Sequence, residues 1–449
     1  MSGRSQLHES RTIRSGHAAG TVIRCGLRDT MLASVPISAV FFFEHALDGE
    51  RLADGLAKAL QHVPVFGGRM RTRDERLEIV CDDAGVPMTT FDVDETIGEA
   101  IGRVMLPSSD FVEHIDGSRE RLGGYPLLTV RLSRLAGGGA ALGCSWHHGV
   151  GDMHTLALFM RAWSACVEGK APPEVRALED LDAYLDKMLP PEDAGASGFR
   201  LPDPEEAAGL RREIDGAMLF NRPVQIYFTD AEIDRMRQAF SAEAGRRLSK
   251  HDVLSGHLSA VIRELDGDTA DRNLIMPVNI RRPLDIPAAI VGNLVEDVQV
   301  GCAGGAAGAA VAAGVRAAID DFPRSHLRFR ASWAFLEAVG PARFGDCFPY
   351  GFDPPGRAIV VTNWSRFGAY DVTFGGQRPA FVSPTTRLPL PWVCWLIEGF
   401  GGEGYLATVI LPSRLSARLR GADGGAVLHR FREPGDPLPE LAGSVRKLA

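Results

Sequence analysis

Residues 125–169 read YPLLTVRLSRLAGGGAALGCSWHHGVGDMHTLALFMRAWSACVEG, and three patterns succeed one another within them. From Pro126 to Leu135 the chain alternates in part, with Leu128, Val130 and Leu132 on one face. Gly137-Gly138-Gly139 then offers a tight hairpin turn into the run Ala140 to Trp146. From Met153 to Val167, the residues Leu156, Phe159, Met160 and Trp163 recur at helical spacing. The stretch predicts a hairpin followed by an amphipathic helix, with His147-His148-Gly149-Val150-Gly151-Asp152 as the corner between them. Such corners commonly carry catalytic side chains, and Gly149 and Gly151 free the backbone for close approach to a ligand. Histidine titrates near neutral pH, so it can take a proton from a hydroxyl or amine and return it to a leaving group. His148 is the candidate general base.

Plainer readings compete with this one. Paired histidines at a strand end are often ordinary packed residues. His147, His148, Asp152 and His154 have the ligand types of a metal site, but neither C-x-x-C nor H-E-x-x-H accompanies them. Adjacent strand residues also point to opposite sides, so no metal is expected. Asp152, just before a helix, has the chemistry of an N-cap.

Outward from the corner, helices and strands are mixed without regular βαβ alternation, which favours an α+β sandwich over a doubly wound parallel sheet. Upstream, Val35 to Phe43 reads as a strand, Gly49 to Gln61 as a helix and Leu77 to Val80 as a strand. Downstream, strands are expected at Val224 to Phe228, Leu274 to Val278, Ala358 to Asn363, Val393 to Gly399 and Tyr405 to Leu411, and a helix at His251 to Leu265. Gly301 to Asp321 reads as a small-residue helix, because its glycines do not follow a strand in dinucleotide-loop order. The Pro-, Glu- and Asp-rich stretch from Lys170 to about Arg212 is the candidate crossover, which gives domains at 1–190 and 216–449 joined by 191–215.

A chain of 449 residues exceeds the usual ceiling for one hydrophobic core, so two domains are expected. Its net charge of −8 argues against nucleic-acid or anionic-membrane partners. The seven cysteines are scattered without C-x-x-C spacing and read as small buried hydrophobes, not a disulfide framework. The N-terminus has no apolar segment of the signal-peptide kind and no run is long enough to span a bilayer, so a cytoplasmic protein is expected.

The quoted stretch resembles the active-site segment of BAHD-type acyltransferases, members of the superfamily of chloramphenicol acetyltransferases and peptide-synthetase condensation domains marked by H-H-x-x-x-D-G. Three further segments resemble the family's in order: HVPVFGGRM at 62–70, PVNIRRPLDIPAAIVGN at 277–293 and VTNWSRFGAYDVTFGGQRP at 361–379. The resemblance implies two pseudo-equivalent α/β sandwich domains with the active site in a channel between them. It implies acyl transfer from acyl-CoA, as co-substrate with no permanently bound cofactor, to a hydroxyl or amine of a small natural product in a ternary complex. By the same resemblance His148 is the base and Asp152 a structural partner of Arg281. Thr362 and Trp364 are donors near the tetrahedral intermediate, Gly151 and His147 support the loop, and Lys250 and Arg282 border the cofactor channel. The plainer readings are a strand residue for Thr362, a core aromatic for Trp364 and surface solvation for the two cations.

This sequence departs from the family's pattern at Met153, where glycine is usual, and in the DFGWG-like segment, where Thr373 replaces Asp and Gly376 replaces Trp. The Ala-, Gly- and Arg-rich composition resembles a bacterial member, acting as a monomer. Two alternatives remain: a condensation-type enzyme fed by an acyl carrier protein, and a catalytically silent binding protein.

Overall fold

Ile37–Phe43 (ISAVFFF) is buried along almost its whole length, the pattern of a strand inside a sheet covered on both faces. It lies between Ala140–Trp146 and Phe381–Thr385 in a sheet of six strands. The strand order is Ser5–Ile13, Val86–Val93, Leu128–Leu135, Ala140–Trp146, Ile37–Phe43, Phe381–Thr385, and only the pair Val86–Val93/Leu128–Leu135 runs parallel. These relations come from a computed structural model that describes residues 5–446 apart from 34, 74–75, 107, 116–123, 354–355 and 387–389.

The second sheet also has six strands: Arg222–Phe228, Tyr405–Leu411, Val393–Glu398, Ile359–Asn363, Arg272–Asn279 and Val295–Cys302. Ile359–Asn363 runs parallel to both of its neighbours, and the other three pairings are antiparallel. Each sheet has its own apolar core. The first buries Leu156, Phe159, Met160 and Trp163 of the helix Met153–Val167 against Leu52 and Leu56 of Gly49–His62. The second packs the helices Lys250–Asp266 and Gly308–Asp321 over Leu274, Met276, Val298 and Val361. Burying each such side chain stabilises by roughly 1.5–3 kcal/mol, so each layer is a core in its own right. The expected α+β architecture with two sheet-bearing halves is present.

Several expectations are refined. The stretch 191–215, read as a crossover, contains most of the helix Pro204–Phe220; its proline occupies the first helical position, where the missing N–H costs nothing. Residues 301–321 divide between the end of the strand Val295–Cys302 and the helix Gly308–Asp321. Phe381–Thr385 leaves the second half of the chain to complete the first sheet. All seven cysteines are free and buried. The DFGWG-like segment packs away from the cavity described below: Thr373 and Ser164 exchange two hydrogen bonds of 2.8 Å, and Phe374 sits edge-on to Trp163 at 5.1 Å. No helix among the described residues is long and apolar enough to cross a membrane.

Candidate active site

The hairpin strand ends at Trp146, and the His147 amide still donates to the Leu127 carbonyl at 2.9 Å. His147 turns inward, 2% exposed, where its Nδ1 accepts the Gly149 amide at 3.1 Å and starts a single 3₁₀ turn over His148–Val150. Gly151 follows at φ 152°, and a Cβ there would lie 2.4 Å from Thr155 Oγ1. Only glycine satisfies both demands. The residue that crowds it is protein, so this glycine serves the corner's own packing. Asp152 then caps the helix Met153–Val167, accepting the Thr155 amide at 3.0 Å and its hydroxyl at 3.1 Å.

Asp152 and Arg281 meet in the interior, 4% and 2% exposed, with Nη1–Oδ2 at 2.7 Å and Nη2–Oδ1 at 3.3 Å. The Leu294 amide reaches the same carboxylate at 3.2 Å. Arg281 spends its remaining donors on the carbonyls of Ile290 and Gly292, each at 3.0 Å, and on Asn279 Oδ1 at 3.3 Å. Burial alone would raise the Asp152 pKa, but the Arg281 charge and hydrogen bonds outweigh it and hold the carboxyl below its usual range. The pair thus bolts the corner to the segment 281–294 of the other half.

That segment also holds His148. Asn293 Nδ2 donates to the His148 carbonyl and to Asp29 Oδ1, each at 2.7 Å. The ring of His148 lines a cavity of about 890 Å³. Its Nδ1 is buried on the side of its own carbonyl, which leaves Nε2 for the cavity. Burial pulls the imidazole pKa below its ordinary value, against the opposing pull of that carbonyl, of the Asp152 charge and of Asn293. The ring is therefore neutral near pH 7 and able to accept a proton.

Alternate residues of the second sheet form the cavity floor: Val295 and Asp297, then Ile275, Pro277 and Asn279, then Val360 and Thr362, then Val393 and Trp395. Ser38, His114 and Met153 approach from the first half. Trp364 is 6% exposed and packs edge-on to Trp395 at 6.5 Å, yet it also borders the cavity. Its packing is that of a core aromatic whose ring also borders the cavity. Among the described residues no hydrogen bond is made by the Thr362 hydroxyl or the Trp364 indole N–H, so both donors are free for a ligand.

Lys250 lines the cavity while paired with Asp230. Arg282 is exposed and lies outside the lining, on the outer side of the turn in which Arg281 faces inward. The groups of the metal alternative do not converge: His147 faces the core, Asp152 is tied to Arg281, and His154 Nε2 meets the Ala288 carbonyl at 2.8 Å. Asn293 and Asp297 were not singled out by the sequence. The GN pair at 292–293 was the available signal for the first, and nothing local marks the second.

A family model described as the Transferase family matches residues 26–414. Among relatives, anthranilate N-benzoyltransferase protein 3 of Dianthus caryophyllus is 24% identical over 405 residues, covering 84% of each chain. Vinorine synthase of Rauvolfia serpentina is 25% identical over 416 residues, covering 84% of this chain and 86% of its own. The crystal structure of vinorine synthase superposes with a TM-score of 0.67 at 19% identity, over 92% of this chain and 96% of that one. F. graminearum TRI101 complexed with coenzyme A and T-2 mycotoxin gives 0.70 at 15% identity, over 89% and 97%. The two sequence relatives are plant enzymes and lend no support to a bacterial source.

Proposed function

The chain belongs to the Transferase family, and from that premise we propose that it is an acyltransferase moving an acyl group from acyl-CoA to a hydroxyl, or an amine, of a small natural product, with His148 as general base. The relatives' names, a benzoyltransferase and a malonyltransferase among them, support acyl transfer. The observation that carries the mechanism is the single cavity onto which the neutral ring of His148 and the unpartnered Thr362 and Trp364 donors all open. At about 890 Å³ it lies near the top of the roughly 300–1,000 Å³ range of ligand sites, which suits two co-substrates bound together.

Nε2 of His148 takes the acceptor's proton as the acceptor's oxygen or nitrogen attacks the thioester carbonyl. The charge that develops on the carbonyl oxygen is met by the Thr362 hydroxyl and the Trp364 N–H. The tetrahedral intermediate collapses with loss of the thiolate, to which His148 returns the proton. Asp152 and Arg281 do not enter these steps and act only by holding the corner. Lys250, which lines the cavity beside its partner Asp230, would meet coenzyme A phosphates, and Arg282 would contribute only from outside the cavity. The division into 1–190 and 216–449 belongs to the same proposal, modified by the passage of Phe381–Thr385 into the first sheet. A cytoplasmic, monomeric enzyme completes it.

The test is incubation with a panel of acyl-CoAs and hydroxyl or amine acceptors, following thiol release and product mass. Turnover that His148→Ala abolishes supports the reading. Turnover only with an acylated carrier protein would replace it with a condensation-type enzyme, and binding without any turnover with a silent family member.

A further inference from the structure

The cavity floor is apolar or neutral except at one position. Asp297 stands opposite Pro277 in the sheet register and shares its face with Val295, so its carboxylate points into the cavity that it lines. Among the described residues nothing donates a hydrogen bond to that carboxylate and no cation lies within ion-pair distance of it. Arg28, a lining cation that acts on Asp297 through space, is committed elsewhere. Its guanidinium meets Glu296 at 3.1 and 3.3 Å, reaches the Val295 carbonyl and lies 4.2 Å from the centre of the Phe329 ring. Arg328 acts on Asp297 only through space and is not part of the lining.

A half-buried carboxylate facing a cavity without a donor or a counter-charge is costly to keep ionised, and the cost is lowered by a cation or by a proton. Burial, reinforced by the neighbouring Glu296 charge and opposed by Arg28 and Arg328, raises the Asp297 pKa to about 6. The group is thus largely ionised at neutral pH and unpaired. Pro277 stands beside it, and the same cavity is lined by Ile275, Phe199, Pro349 and Phe352, with Gly351 packed so closely that a Cβ there would lie 2.5 Å from Ile275. A ligand fitting this end has an apolar body and one positive charge.

Resting on the acyl-transfer reading, we propose that Asp297 is a specificity-determining residue that selects an acceptor carrying an ammonium group distinct from the atom that is acylated. Asp297, in the strand that starts at Val295, is four steps along the chain from Asn293, the residue that holds the His148 carbonyl. At a rise of about 3.3 Å per residue that places the ammonium within roughly 13 Å of the catalytic corner. The acceptor's nucleophile and its cation are therefore read at two separate points of one cavity.

Binding without acyl donor tests this directly. Isothermal titration compares 2-phenylethylammonium with its neutral isostere 2-phenylethanol at neutral pH. The wild type should bind the ammonium about tenfold more tightly. Asp297→Asn should bring the two within about twofold while leaving the alcohol's affinity unchanged, which also certifies the variant's fold. Asp297→Glu should restore part of the preference. Equal binding of both probes by the wild type, or a preference that survives in Asp297→Asn, overturns the proposal. A preference for the ammonium in a protein that acylates nothing would sink the acyl-transfer reading and leave this site standing. Acyl transfer without the preference would do the reverse.

Discussion

His148 and Asp152 sit four residues apart in one corner, yet their surroundings are opposite. The histidine ring opens on a cavity and lacks a partner for the nitrogen on its buried side. The aspartate carboxylate is enclosed and receives bonds from Arg281, Thr155 and Leu294. An interior group saturated with partners is built for rigidity, whereas a neutral imidazole on a cavity is built to exchange a proton. The spacing that joins the two in a single motif therefore couples a chemical group to the strut that aims it, and differs in kind from a charge-relay pair.

Substitutions should separate the two roles. His148→Ala is expected to lower kcat/KM by about 10²–10⁴-fold with no change in thermal melting, and a comparable loss of stability would erase the contrast. Arg281→Ala should do the opposite first, removing about 3–5 kcal/mol of stability because Asp152 is left buried without its cation. Urea unfolding reads this, and replacing both members of the pair by apolar residues should recover part of it. Thr362→Val should reduce kcat by about 10²-fold with KM little altered; an effect confined to KM would assign the hydroxyl to binding.

The pH profile sharpens the same contrast. His148 acts as a base when neutral, and its pKa in the fold lies below the ordinary 6.5. Activity should be full at neutral pH and fall as pH drops through a midpoint below that value. A midpoint at or above it contradicts the burial of the ring. The smallest effect belongs to Met153→Gly, which restores the family's usual residue. Glycine in the first turn should cost about 0.5–1 kcal/mol, with a change in preferred co-substrate because Met153 lines the cavity.

The corner and its hairpin were legible in the sequence because both patterns are local: a period of two, a glycine turn, a period of 3.6. Ala140–Trp146 and Met153–Val167 fall at the expected bounds. The Asp152–Arg281 contact was reached only through family resemblance, since 129 residues separate the partners. Ser5–Ile13 escaped notice because most of its residues are exposed, so a sheet edge leaves no apolar alternation to read. Pro204–Phe220 escaped because its proline and glutamates, which suit a helix N-terminus, also compose linkers. Asp297 looked like any other acid in a strand, and its isolation exists only in three dimensions.

Phe381–Thr385 completes the first sheet at the exposed side of Ile37–Phe43, and this has a consequence on the ribosome. All the other strands of that sheet are synthesised by residue 146. At about 5–20 residues per second, the remaining stretch to residue 385 takes on the order of 10–50 s. During that interval the nascent chain carries a very apolar strand with one unpaired edge, a template for pairing with other chains. Production of this protein at high level should therefore respond to slowed translation or to added chaperones, and its folding yield should be set by how long that edge waits.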